Sequence, residues 1–372
     1  MEIYDLYMAY REARKNKRRS ADQIQFELKM FERIYRLCEI INHSDILTSS
    51  YCFIHKRGDK SREVWASDME LKILQTILDF NLRPIVEGLL TDNTFNNRKG
   101  RGTHAAINHV IEDIAAASEG YTRDCWIIKI DNKGFFPNIN QDIAWKNTEK
   151  IINDNFHGKK RDLLLLIAKT VNYYNPQFNT TRRSPLEQWN DEIPDYKSLF
   201  HKPFGKGAAI GFLYWQVMTN LYPNEIDKWI IENLTPYYTR YVDDMVLITT
   251  DKEYLLSQLP VLRMKFSEIE VAMHPTKFYC QHYTKGVEFL GYHIKKDYIH
   301  VNRKIVIAAM NTANSGIRST DRYVCQINSY LGMIKASSDT HVAKKILESI
   351  HRDDVIIDMN RLIIKNKRYG IQ

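Results

Sequence analysis

The sequence predicts a mixed α+β fold, and three observations carry that expectation. Of its 372 residues 44% are apolar and 12% aromatic, ample for a buried core. Long stretches repeat their apolar residues at helical spacing. Between them lie short apolar runs of strand length, two of which meet aspartates.

Taken in order, residues 11–19 carry Arg11, Arg14, Lys15, Lys17, Arg18 and Arg19 on one short basic helix. Ser20-x-x-Gln23 reads as a capping box, and Ile24, Leu28, Phe31, Tyr35 and Cys38 predict an amphipathic helix to about Asn42 with this stripe facing the core. Residues 62–90 read as an extended segment and a helix that Pro84 interrupts or ends. After the polar DNTFNNRKGRGTH, a helix is expected over 105–117, a strand over CWIIKI at 125–130, and helices over 142–153 and 162–172. Residues 174–206, rich in Asn, Pro, Thr, Arg and Gly, predict a long loop with at most a small hairpin. A helix over 207–233, a hairpin over 237–249, a helix over 253–268 and short strands at 277–283 and 287–294 follow. The last 70 or so residues, with Lys304, Arg318, Arg322, Lys335, Lys344 and Lys345, are expected to be mainly helical.

Fifty-three Lys and Arg against 45 Asp and Glu leave a net charge of +8, the sign that phosphate backbones attract. Five scattered cysteines with no C-x-x-C pair argue against a zinc site and for a reducing, cytoplasmic setting. No apolar run approaches the length that spans a bilayer, so no membrane is expected.

Asp131 ends one apolar strand, and Asp243-Asp244 sit between RYV and MVLIT. Such carboxylates repel one another if buried together, unless a divalent cation removes the cost. Mg²⁺ prefers carboxylate, phosphate and water oxygens, so three carboxylates on neighbouring strands would suit two-metal phosphoryl transfer. As plain structure, Asp243-Asp244 would be an exposed turn and Asp131 a strand-end cap.

The order of motifs resembles the reverse transcriptases over most of the chain. KIDNKGFFPNI from Lys129 is similar to the family's first catalytic motif and RYVDDMVLI from Arg240 to its active-site hairpin. The resemblance implies a right-hand polymerase: fingers at 46–125, a palm with an antiparallel ferredoxin-like sheet at 126–300, and a helical thumb at 301–372, after a basic helical extension at 1–45. It implies that Asp131, Asp243 and Asp244 hold two Mg²⁺, with Mn²⁺ the alternative ion. Phe136 would exclude the sugar 2′-hydroxyl. Tyr241 would line the nucleotide site, and Arg98 would contact the triphosphate, with Lys99 and Arg101 as alternatives and Arg62 as a further fingers contact. Lys277 would protonate the leaving pyrophosphate. GVEFLGYHI would grip the primer through Phe289, Leu290 and Gly291.

Within the family, GKGAAIGFLYWQ places Ile210-Gly211 five residues before Gln216, which resembles the reverse transcriptases of diversity-generating retroelements, enzymes that misincorporate opposite template adenines. EQWNDEIPDYKSLF and INSYLGMIKASS agree. Ala209 and Trp215 depart from that pattern, which has Pro and Ser there. The resemblance implies template RNA, primer or cDNA and dNTPs as partners, with a small basic accessory protein oligomer. Retron, group II intron-like and phage-defence enzymes are the rivals within the family. A noncatalytic RNA-binding scaffold is the rival outside it, and a palm-type cyclase lacks the other resemblances.

Overall fold

A computed structural model describes residues 2–15, 21–43, 49–57, 60–175 and 180–369. Lys17, Arg18, Arg19 and Ser20, part of the basic cluster and capping box, lie outside them. Three N-terminal helices, α1 (Ile3–Ala13), α2 (Ala21–Leu28) and α3 (Met30–Asn42), precede a hairpin of β1 (Ser50–Arg57) and β2 (Lys60–Ser67). Helix α4 (Met69–Leu89) follows, its Asp68 side chain accepting from Leu71 N at 2.8 Å as an N-cap. Then come β3 (Thr94–Phe95), α5 (Thr103–Ala117), β4 (Trp126–Lys133), the short α6 (Phe135–Asn138), α7 (Gln141–Asn155) and α8 (Gly158–Asn172).

After β5 (Thr180–Arg182) and α9 (Leu186–Glu192), α10 (Leu213–Leu221) and α11 (Asn224–Asn233) lead to the central hairpin, β6 (Tyr238–Tyr241) and β7 (Asp244–Thr249). Helices α12 (Lys252–Ser257) and α13 (Leu259–Glu268) precede β8 (Ala272–His282). A small antiparallel sheet of β9 (Val287–Phe289), β10 (Tyr292–Ile294) and β11 (Ile299–Val301) comes next. The chain closes with α14 (Arg303–Ala313), α15 (Thr320–Lys335), α16 (Thr340–Glu348) and the hairpin of β12 (Val355–Asp358) and β13 (Ile363–Asn366).

The fold is α+β, organised on a five-stranded sheet of order β3-β6-β7-β4-β8, antiparallel except for β3 beside β6. Strand alternation sends Ile128, Ile130, Met245 and Leu247 into one core shared with α4, α7, α8 and α10. It sends Ile127, Val246 and Ile248 into a second core, shared with α5, the small sheet and the C-terminal helices. The sheet is therefore buried on both faces, and its functional groups gather at one end.

Several expectations need correction. The helix predicted to run to Asn42 breaks at Lys29, whose φ of −128° is not helical, so the phase resets there. The core face is Phe26, Ile34, Leu37, Cys38 and Ile41, whereas Ile24, Leu28, Phe31 and Tyr35 of the expected stripe are exposed. Pro84 neither breaks nor ends α4, whose Leu82 and Val86 are anchored in the first core; tertiary packing outweighs one lost backbone donor. The helix expected over 207–233 is two helices parted at Tyr222-Pro223. Within 174–206, the residues described from 180 onward are not a loose loop. Glu63 of β2, buried at 3% exposure, accepts from Trp189 Nε1 at 2.8 Å, from Leu199 N at 2.8 Å and from Ser198 Oγ, which pins this segment to the first hairpin. The helical C-terminal region also contains the β12–β13 hairpin, which periodicity did not signal. Among the described residues no helix is long and apolar enough to cross a membrane.

Candidate active site

Antiparallel pairing of β4 with β7 sets Asp131 directly opposite Asp244. Tyr241 pairs with Asp244 across the β6–β7 hairpin, so Val242 and Asp243 form its two-residue turn. Three carboxylates thus share one end of the sheet. Burial, then the charges of Asp244 and Asp131, push the Asp243 carboxyl up to about 6, and the positive charge of Arg62 on β2 acts against them. The Lys277 ammonium lies 2.5 Å from Asp131 Oδ2, and this bond is the main reason its pKa is raised. Lys129, two residues before Asp131 on the same face of β4, sits 3.6 Å from Asp244 Oδ1 and donates to the Glu288 carbonyl at 3.0 Å.

Lys277 reaches Asp131 because the register that pairs Ile130 with Phe278 sets it opposite, and beyond that point the β4–β8 ladder is interrupted. Ile130 pairs with Phe278 but Asn132 with Met273, so residues 274–277 of β8 bow outward. Pro275 has no N–H to give to the ladder, and an interruption at that position follows.

The turn itself is held from behind. Val242 adopts φ +59°, a left-handed conformation unusual for a β-branched residue. Its carbonyl accepts from Arg240 Nη1 at 3.1 Å. Arg240 is fully buried and chelates the equally buried Asp227 of α11, with Nε 2.8 Å from Oδ1 and Nη2 2.6 Å from Oδ2. Tyr238 Oη donates to the same carboxylate at 2.7 Å, and Arg240 Nη2 also reaches the Asn220 carbonyl at 2.8 Å. Sequence reasoning missed this pair. Its available signal was an arginine inside an apolar strand, which must find a buried partner.

After Asp131, Phe135 fills the first core, and Phe136 stands half-buried against it, edge-on, with ring centroids 5.5 Å apart. The Phe136 carbonyl accepts from Ala208 N at 2.9 Å, which lays the 208–211 segment behind the first aspartate. Trp65 N donates to the Ile210 carbonyl at 2.7 Å. Gly211 has φ +110°, and a Cβ there would stand 2.3 Å from the Trp65 carbonyl oxygen. The hairpin bearing exposed Arg62 is thus fastened to the Ile210–Gly211 strap. Gln216 is half-buried on α10, its carbonyl 3.4 Å from Asn97 Nδ2. Ala209 and Trp215 are both buried, the indole packing at 5.0 Å on Tyr214. The departures at these two positions therefore lie in the core.

The residues expected on the triphosphate divide differently. The Arg98 side chain is only 6% exposed and spends its donors on Glu87 Oε2 at 2.8 Å and on the Thr91 and Thr94 carbonyls at 2.7 and 2.8 Å. The structure turns it into the protein, so it ties β3 to the end of α4 and is not brought to the aspartates. Arg101 pairs with Asp92 and lies over the Phe95 ring, while Lys99 is exposed. Of the basic fingers candidates, Arg62 is the one whose charge reaches Asp243. Tyr241 is half-buried, its hydroxyl 3.3 Å from Thr103 Oγ1. Phe289 is buried in the second core, leaving Leu290 and Gly291, at φ +51° and +89°, to form the turn of the β9–β10 hairpin.

Among the described residues no group of three His, Cys, Asp or Glu side chains is gathered around a point as metal ligands. The oxygen donors of Asp131, Asp243 and Asp244 nevertheless fit a hard divalent cation, because they share one repulsive field that lysines now balance.

Residues 54–294 match the family described as reverse transcriptase (RNA-dependent DNA polymerase). No curated protein sequence matches. Among solved structures, the chain is similar to apo telomerase from Candida tropicalis truncated from its C-terminal domain, with 11% identity and a TM-score of 0.47. The match covers 68% of this chain and 55% of that one, so the chain spans about half the length of that relative.

Proposed function

This chain belongs to the reverse transcriptase family, whose match covers residues 54–294, and from that premise we propose that it is an RNA-directed DNA polymerase extending a primer on a template RNA. The single observation that carries the reading is the register of Asp131 against Asp244 with Asp243 in the adjoining turn. Asp131, Asp243 and Asp244 would hold two Mg²⁺ or Mn²⁺, which when bound lower the pKa of the primer hydroxyl and neutralise the triphosphate. The primer 3′-oxygen attacks the α-phosphorus, and the bond to pyrophosphate breaks. Lys277, displaced from Asp131 as cation and triphosphate arrive, gives its proton to pyrophosphate, and the proton of the primer hydroxyl passes to solvent. Arg62 clamps the triphosphate in place of Arg98. Phe136 excludes the 2′-hydroxyl, with Tyr241 beside the incoming nucleotide and the Leu290–Gly291 turn against the primer.

In the same reading residues 46–125 are fingers, 126–300 palm and 301–372 thumb. Primer extension on an RNA template with dNTPs and Mg²⁺ tests the activity. Wild type should add nucleotides and Asp243→Asn should not; no incorporation by wild type on any template, with or without accessory protein, rejects it.

We further propose that the enzyme serves a diversity-generating retroelement, with a basic accessory oligomer, and that Ile210 and Gln216 shape the pocket under the templating base. An apolar residue replacing a polar contact lowers the penalty for a wrong pair. Ile210→Gln should then lower misincorporation opposite template adenine; equal, low error rates for parent and variant would reject the subtype.

A further inference from the structure

Segment 195–208, inserted between the two aspartate motifs, exposes aromatic and basic side chains that the chemistry above leaves unused. Tyr196 is 51% and Phe204 71% exposed. Lys133, two residues after Asp131, holds its ammonium 5.7 Å from the centre of the Tyr196 ring, and Lys197 lies at 5.5 Å from the same centre. Further along, the Phe204 ring lies nearly parallel to Tyr173, at 16° with centroids 6.3 Å apart. The two rings, with Leu166, Lys169 and Thr170, line an open cleft of about 380 Å³.

This arrangement is built rather than loose. Gln141 N donates to the Gly205 carbonyl and Gly207 N to the Ile139 carbonyl, each at 2.8 Å, and Lys202 Nζ reaches Asn138 Oδ1 at 2.7 Å. Tyr173 is fixed by its hydroxyl bond to Asp142 at 2.6 Å. Lys206 is paired with Glu270, and its charge, after burial, lowers the pKa of Lys202. Lys133, Lys169 and Lys197 are exposed with no carboxylate paired to them among the described residues. Exposed rings interleaved with unpaired ammonium groups are the surface chemistry that stacks bases and follows phosphates.

We propose that the strip from Lys133 through Tyr196 to Phe204 and Tyr173 is a track for single-stranded nucleic acid, the unpaired stretch of the template strand beyond the active site. The strip starts on the strand that carries Asp131, which makes it continuous with the site; the word template rests on the polymerase reading. A protein partner fits less well, because Lys133 and Lys197 stand against the exposed Tyr196 ring, a pairing suited to bases and phosphates.

The test is fluorescence anisotropy of the full chain, in EDTA and without dNTP, on two probes. One is an RNA–DNA hybrid carrying an unpaired RNA extension of about ten nucleotides, within the usual span of such sites; the other is the same hybrid with blunt ends. Wild type should prefer the extended probe. Phe204→Ala should lose about tenfold on it, the worth of one stacked base, and nothing on the blunt one. Phe204→Trp should keep the affinity, and its indole emission should be quenched by the extension. Tyr196→Ala should repeat the selective loss. Equal wild-type affinity for both probes, or an unchanged Phe204→Ala, overturns the track. Selective binding without any nucleotide addition in the extension assay would uphold the track and reject only the polymerase reading.

Discussion

The ion pair behind the Val242–Asp243 turn gives the most demanding test of the packing. Asp227→Asn keeps the shape of the side chain but leaves Arg240 as an isolated charge with no exposure to water. Arginine does not deprotonate in proteins, so it cannot escape by losing its proton. Its remaining acceptors are the amide oxygen of the new asparagine and the Asn220 and Val242 carbonyls, which supply partial charge only. Breaking a buried pair in this way costs about 3–5 kcal/mol, a large part of the 5–15 kcal/mol that typically holds a domain. Removing both charges in Asp227→Leu/Arg240→Met should cost less than Asp227→Asn alone, because no uncompensated ion remains. The assay is urea unfolding followed by both far-UV circular dichroism and tryptophan fluorescence. Destabilisation by Asp227→Asn under about 0.5 kcal/mol, the level of an ordinary surface change, would refute the account of this pair.

Other expectations follow from the same geometry. The folded Asp243 pKa of about 6 lies above its ordinary 3.8, so in metal-free buffer the folded state retains a proton that the unfolded chain has released. This group's contribution is fully present below about pH 4 and is lost as pH rises through 6. Asp243→Asn should therefore be more stable than wild type above pH 6, by about 2 kcal/mol after discounting for partial solvent access, with the difference fading towards pH 4; an equal difference at both pH values would refute it. Gly211→Ala should destabilise by at least about 1–3 kcal/mol in thermal or urea unfolding, since φ +110° and a Cβ 2.3 Å from the Trp65 carbonyl oxygen leave no room. Arg62→Ala should raise the KM for dNTP with little loss of stability. Arg98→Met should do the reverse, as steady-state kinetics and unfolding measured on the same two variants would reveal.

What the sequence revealed was mostly local. The β6–β7 hairpin and the end of β4 were legible because strand alternation lies within a dozen residues, although the turn falls at Val242-Asp243 and not at the expected Asp243-Asp244; resemblance then paired Asp131 with the hairpin. What it hid depended on partners far along the chain. Nothing in RKGRG distinguishes Arg98, which faces inward, from Lys99 and Arg101; Arg98 is decided by Glu87, eleven residues earlier at the end of α4. Segment 174–206 reads as a loop because its organising contact is Glu63, more than 120 residues upstream. The misplaced stripe at Ile24, Leu28, Phe31 and Tyr35 shows the limit of periodicity, which assumes one continuous helix and loses its phase at Lys29.

Two kinds of counter-charge serve this site, and their burial sets what each can do. Arg240 and Asp227 are sealed at 0% exposure and carry the strained Val242 carbonyl, so their separation would uncover charges that no solvent can reach. Lys277 is 59% exposed and bonded to Asp131 across the bowed-out part of β8. An ion pair so open to water contributes about 0–1 kcal/mol, and an ammonium on a flexible stem can be displaced from Asp131 without unfolding anything. The fixed pair therefore preserves the geometry of the carboxylates, while in the proposed reaction the exposed lysine would leave Asp131 as cation and triphosphate arrive and would then stand beside the departing phosphate. Exchanging these roles, with the buried pair mobile and the exposed one permanent, would leave the turn unsupported and one of the carboxylates permanently occupied.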